Sequence, residues 1–377
     1  MTSLRATAGR SGLALAAIAL LWTAVRPVAA HVPYVTENPS EEGVAFTVEV
    51  LTEPANALLF GGTGLLAVAG VGAYLWVRPT VPDFEVLQSA LSEYLTYVPW
   101  MLRLSLGLPL VGAGFIGYLF SPSVRTADVL TAAGQTQARI LLIGLGFFLL
   151  FGLATRLVAV VGLATYGVTV TLFPTAIIAL EYVPGFLAIA LLGSGRPSAD
   201  HLLSRLASAQ GTYYSRVDPV HRRAERLRRR IDPYTAYVPT VLRVGLGATF
   251  VLLGLGEKLL QPGPGLAVVA KYDLTAVIPV DPGVWVVGAG LAEIAFGTAL
   301  ILGLLTRATA AGAFILFTTT LFGLPDDPVL AHITMFGLAS AVFTLGAGPL
   351  SIDDWLESSV EPDRRTTSEG RAETRSG

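Results

Sequence analysis

A series of long apolar segments constrains this chain more than any other feature. They fall at about 55–77, 99–120, 138–154, 157–180, 182–193, 239–260, 284–304, 308–324 and 329–348. Most are close to the roughly 20 residues a helix needs to cross about 30 Å of hydrocarbon. In hydrocarbon each backbone must satisfy its own hydrogen bonds, so the segments are expected to be helices rather than open strands. Only 14% of the 377 residues are charged, well below the roughly 25% of soluble domains. The expected fold class is therefore all-α: a polytopic integral membrane protein with two tandem four-helix transmembrane bundles and one preceding transmembrane helix. Its first partner is the lipid bilayer. There is no cysteine, which excludes disulfides, iron–sulfur clusters and thiolate metal sites.

Residues 1–30 read as a signal peptide or signal anchor. Arg5 and Arg10 precede an apolar run from Leu13 to Val25, and Val28-Ala29-Ala30 offers a cleavage site before His31. Residues 31–54 form an exterior segment in which Val44 to Val50 alternate like a short strand. A lone transmembrane helix at 55–77 leads to a cytoplasmic amphipathic linker at 78–98, with Phe84, Val86, Leu87, Leu91 and Leu95 on one side. A bundle at 99–200, a basic cytoplasmic linker at 201–233, a second bundle at 234–356 and a disordered cytoplasmic tail at 357–377 complete the division. With residues 31–54 outside, Arg78, Arg156, the cluster from Arg196 to Arg230, Arg307 and the C-terminus all fall inside, as positive-inside bias requires. The expected location is the cell membrane, multi-pass. Topology alone accounts for the arginine cluster, so nucleic acid is not an expected partner. A freed amine at His31 is a copper-chelate candidate, but no second histidine stands near it and no metal site is expected.

The two bundles repeat one pattern. Tyr94-x-x-Tyr97-Val98-Pro99-x-x-Leu102-Arg103-x-x-Leu106-Gly107 lines up with Tyr234-x-x-Tyr237-Val238-Pro239-x-x-Leu242-Arg243-x-x-Leu246-Gly247. Gly152 to Arg156 then matches Gly303 to Arg307, and Ser198-Ala199-Asp200 matches Ser351-Ile352-Asp353. Three matches in one order imply an internal duplication in parallel orientation. In the first copy Gly117 and Tyr118 stand opposite Glu257 and Lys258, Leu142 opposite Glu293, and Glu181 opposite His332. Any site is therefore expected in the second bundle.

Arg243, Gly247, Gly254 and Lys258 share one helical face, and so do Gly290, Glu293 and Gly297. Small residues mark the face where membrane helices approach closely, which turns Glu293 into the bundle. At 1.5 Å per residue it lies about 14 Å below the outer end of its helix. There it either pairs with a cation (Lys258 or His332 from above, Arg243 from below) or titrates, serving a polar ligand head or a proton relay. A structural ion pair that locks the bundle is the competing reading. Glu257 and Lys258 also read as an interface pair, His332 as a neutral-range titrator at the outer mouth after Asp326-Asp327, and Arg243 and Arg103 as side chains that snorkel to the inner headgroups. No catalytic residue can be named.

The second half resembles the DoxX family of small four-span membrane proteins. The resemblance is carried by Leu242 to Gly247, Gly254 to Leu259, Gly290 to Gly297, Gly303 to Arg307 and Gly348 to Asp353. It covers about 239–356 well and 99–202 as a degenerate copy. It implies a membrane subunit linked to quinone or quinol redox chemistry, which binds a lipid-soluble ligand or anchors a cofactor-bearing redox partner. No cofactor is expected within the chain beyond a bound quinone. Haem in a bilayer needs histidines on facing helices, and only His332 lies near the membrane. A small-solute or proton transporter and a non-catalytic scaffold are the alternatives.

Overall fold

The computed structural model describes residues 43–77, 82–209, 211–217, 221–324, 329–356 and 358. The signal segment, the cleavage point before His31, Arg78, Asp326-Asp327 and the tail beyond 358 lie outside these residues.

The exterior segment corrects one expectation. Val44–Thr52 is a helix (α1), not a strand, and it buries Thr47 and Val50. A single strand at this position has no partner to pair with, whereas a helix closes its own hydrogen bonds and lays one face on the body. The lone helix follows as Pro54–Val77 (α2) and the linker helix as Pro82–Ser92 (α3).

The first half comprises Val98–Ile116 (α4), a two-stranded hairpin of Tyr118–Leu119 (β1) and Ser121–Arg125 (β2), and a short helix Thr126–Val129 (α5). Ala132–Phe151 (α6), Thr155–Leu172 (α7) and Tyr182–Leu192 (α8) follow. Pro174 cannot continue α7, so the apolar run to Leu180 finishes as a tight turn of helix over Pro174–Ala179. The basic linker forms Ala199–Ser208 (α9), Tyr213–Val217 (α10) and His221–Ile231 (α11). The second half comprises Val238–Leu253 (α12), Pro262–Lys271 (α13), Leu274–Val277 (α14), Pro282–Leu302 (α15), Thr306–Gly323 (α16) and Val329–Leu345 (α17). Among the described residues six helices are long and apolar enough to cross a membrane, and α8 and α17 are shorter apolar helices. The protein is a multi-pass membrane protein.

The two halves do not stand apart. Within each half the first helix packs on the second and last (α4 on α6 and α8, α12 on α15 and α17), and each also packs on the last helix of the other half, α4 on α17 and α12 on α8. One apolar core therefore runs through both, joining Leu106 and Leu110 of α4, Phe186 of α8, Leu246 and Phe250 of α12 and Leu338 of α17. Close approach is set by small residues. A Cβ on Gly337 would lie 2.0 Å from Ser105 Cβ, and one on Gly245 would lie 2.3 Å from Pro184 Cβ.

The same local arrangement recurs at the ends of both halves. Gly152 (φ +66°) and Gly303 (φ +65°) turn the chain after α6 and α15. Asp200 accepts from the amides of Ala154 and Thr155, and Asp353 from those of Leu305 and Thr306, capping α7 and α16. Ser198 and Ser351 accept from the amides of His201 and Asp354.

Candidate functional site

The site is built where α12 meets α15. Their glycines stack backbone on backbone: a Cβ on Gly247 would lie 2.5 Å from the Gly297 carbonyl, and one on Gly254 would lie 2.6 Å from the Gly290 carbonyl. Gly247→Ala is expected to cost about 1–3 kcal/mol, because neither backbone can yield. Gly256→Ala, where nothing stands within 4 Å, is the control. Thermal unfolding of both variants in detergent checks the difference.

Above these contacts the helix widens into a π-turn over Gly254–Leu259, which holds Glu257 and Lys258. Leu260 donates to the Leu255 carbonyl at 2.9 Å, one residue beyond the α-helical partner. Such turns cost regular hydrogen bonding and recur at functional positions. Lys258 Nζ lies 2.8 Å from Glu293 Oε1 and donates to Oε2 at 2.9 Å. The side chains of Lys258 and Glu293 are 25% and 16% exposed, so protein does not cover the pair completely. Gly290 leaves room for the lysine stem, since a Cβ there would lie 2.9 Å from Lys258 Cβ. Glu257 is buried and within electrostatic reach of both partners.

Helix α1 closes over this turn. The Thr47 hydroxyl donates to the Leu259 carbonyl at 2.7 Å. Val50 packs with Val284 and Val287 of α15, with Phe46 and Phe60 against the same cluster. The first half has no counterpart: Gly117 (φ +98°) ends α4 where the second half has Glu257, and the chain turns into the hairpin.

Of the five residues singled out by sequence, the structure brings Glu257, Lys258 and Glu293 together. Arg243 does not belong with them, being fifteen residues from Lys258 along one helix, about 22 Å. Nor does it snorkel. It is fully buried and donates to the carbonyls of Leu300, Ile301, Ala347, Pro349 and Leu350, tying the ends of α15 and α17 to α12. These carbonyls cluster at and just beyond helix ends, where backbone acceptors run short of intrahelical donors, although Leu300 also accepts from the Gly303 amide and Pro349 from the Thr240 hydroxyl. Arg103 is equally buried and donates to the Pro197 carbonyl at 2.6 Å. His332 lies in α17, whose packing is against α16, α4, α12 and α8.

Sequence reasoning placed Glu181 only as the counterpart of His332 and not as a site residue, yet it is buried beside a tyrosine cluster in the first half. Its place between two proline-interrupted apolar runs was the available signal. Among the described residues no group of three or more His, Cys, Asp or Glu is arranged to hold a metal. Two surface hollows, one lined by Arg223, Arg226, Leu227 and Arg230 and one by Phe147, Phe148, Phe151 and neighbours, do not touch the ion pair.

Residues 238–326 match the DoxX family model, a span that begins at α12 and contains all of the Glu257–Lys258–Glu293 cluster. No curated protein and no solved structure matches the chain.

Proposed function

We propose, from the match of residues 238–326 to the DoxX family model, that the protein is a membrane subunit linked to quinone or quinol chemistry, with the Lys258–Glu293 pair receiving the polar head of a lipid-soluble ligand. One observation carries the reading: an ion pair that protein does not cover completely, set at a π-turn between glycine-packed helices. Ionisable groups at such depth are costly, and a cation beside a carboxylate offers a donor and an acceptor to a carbonyl or hydroxyl head. The chain itself contributes no redox metal under this reading. It binds and orients the ligand, or anchors a partner that carries the cofactor.

A scaffold role is the second reading, favoured by the mutual pairing of Lys258 and Glu293 and by hollows that lie elsewhere. A transporter is less well supported, because Leu142 occupies the first-half position of Glu293 and the paired contacts of the two halves diverge there. Those paired contacts support duplication of one four-helix unit.

The test is titration of the full chain, in mild detergent, with a short-chain benzoquinone analogue read by tryptophan quenching. Saturable quenching is expected, weakened at least tenfold in Glu293→Gln, about 1.4 kcal/mol. Absence of saturable quenching, or equal affinity in that variant, overturns the ligand reading.

A further inference from the structure

We propose that Glu181 is a proton-binding site at the junction of the two halves, filled at neutral pH and separate from the ion pair of the second half. Glu181 is 2% exposed, and its Oε2 has no hydrogen-bond partner among the described residues. A buried polar atom left unsatisfied calls for an explanation. Among the described residues no lysine or arginine pairs with it: Lys258 is held by Glu293, Arg139 donates to the carbonyls of Gly114 and Phe115, and Arg103 and Arg243 lie near the opposite ends of α4 and α12.

The elements packed around Glu181 present polar but uncharged groups. Tyr118 comes from β1, Tyr166 from α7, Tyr182 from α8 and Thr334 from α17, all buried. Phe120 meets Tyr166 and Tyr182 edge-on at 5.2 and 5.0 Å, and the two tyrosine rings stack at 6.2 Å. Tyr166 donates to the Ala176 carbonyl at 3.2 Å, Tyr182 is bonded to Thr334, and Thr334 donates to the Ser105 carbonyl at 3.1 Å. The Tyr118 hydroxyl is a second buried group with no partner. From α12, Thr249 donates to the Gly245 carbonyl, and Arg125 at the end of β2 is exposed.

An ionised carboxylate in such surroundings pays its desolvation with only a hydrogen bond from its own backbone and the nearby helix end to offset it, whereas the protonated form is neutral. The N-terminus of α8 favours the charge by at most about 1–2 kcal/mol, which is small beside the penalty of burial. Equivalent geometry in the other half sharpens the point. The turn that begins at Gly346 repeats the one that begins at Gly193, and counting back along α17 and α8 by the same interval puts Thr334 opposite Glu181, in place of the His332 that the sequence offsets suggest. One interface between the halves is thus closed by a hydroxyl already satisfied by Ser105, and the other holds an acid that binds and releases a proton.

The experiment is infrared difference spectroscopy of the full chain in lipid nanodiscs as the pH is raised from neutral into the alkaline range. The wild type is expected to show the carbonyl stretch of a protonated carboxyl at neutral pH, downshifted in deuterium oxide and bleached by alkali. Glu181→Gln is expected to lose this band, and Glu293→Gln to keep it. Persistence of the band in Glu181→Gln, or its absence from wild type, overturns the proposal. If Glu181→Gln fails to fold, Glu257→Gln and Glu293→Gln decide. Glu181 and Glu257 are the only fully buried acids among the described residues, so a band surviving both variants belongs to Glu181, and its loss in either refutes the assignment.

Discussion

A protein carrying Arg243→Met is expected to lose about 3 kcal/mol or more of stability, read as a lower thermal midpoint in detergent and poorer accumulation in the membrane. The guanidinium serves carbonyls from three places in the chain: Leu300 and Ile301 at the end of α15, Ala347 just past α17, and Pro349 and Leu350 beyond it. Methionine matches the stem but leaves the carbonyls of Ile301, Ala347 and Leu350 without that donor, whereas Leu300 keeps the Gly303 amide and Pro349 the Thr240 hydroxyl. Each buried acceptor so abandoned costs about 1–3 kcal/mol before relaxation. Lysine is not a rescue, because one ammonium cannot span the set that the planar fork reaches. Arg103→Met is expected to cost about 1 kcal/mol, since Arg103 donates to the Pro197 carbonyl while its Nε and Nη1 have no partner. Equal losses in the two variants would show that the carbonyl cluster around Arg243 is not what holds the second half.

Lys258→Met is expected to destabilise by about 3–5 kcal/mol, because it strands the Glu293 carboxylate between helices. Glu293→Gln alone is expected to cost less, since the lysine stem is long enough to carry its ammonium toward the part of the site that protein leaves uncovered. The double variant with methionine at both positions is expected to recover to within about 1 kcal/mol of wild type, as apolar replacements of buried ion pairs do. Unfolding midpoints of the wild type, the single variants and the double variant close a cycle that isolates the coupling of the pair. A stable double variant that no longer quenches with the benzoquinone analogue separates ligand binding from structural locking. If it quenches like wild type, the pair is a lock.

Much of this fold is legible in the sequence, and the reason is physical. In lipid the backbone has few options, so apolar runs announce helices, and glycines at helical spacing announce which face is buried. The inward turn of Glu293 follows from Gly290 and Gly297 alone. Other features depend on contacts that no local pattern carries. The role of Arg243 is set by carbonyls about sixty and a hundred residues away, which a reading from its position in the helix replaced with headgroups. The burial of Glu181 depends on a hairpin at 118–125 and on α17 from the other half. The alternation in Val44 to Val50 fits a strand on paper, and only the surface of α15 makes it a helix. The π-turn at Gly254–Leu259 is invisible to periodicity, because its extra residue is absorbed within one turn.

The α2 helix has no buried residue along its 24 positions. Phe60 joins the cluster with Val284 and Val287, and Asn56, Val71, Tyr74 and Leu75 are half-buried. With no residue fully buried, its inclination answers to the thickness of the surrounding lipid as well as to these partial contacts. The chain passes from α1 to α2 through Glu53 alone, so a thinner or thicker bilayer pulls directly on the segment whose Thr47 rests on Leu259. Acyl-chain length is thus mechanically connected to the cover of the charged cluster.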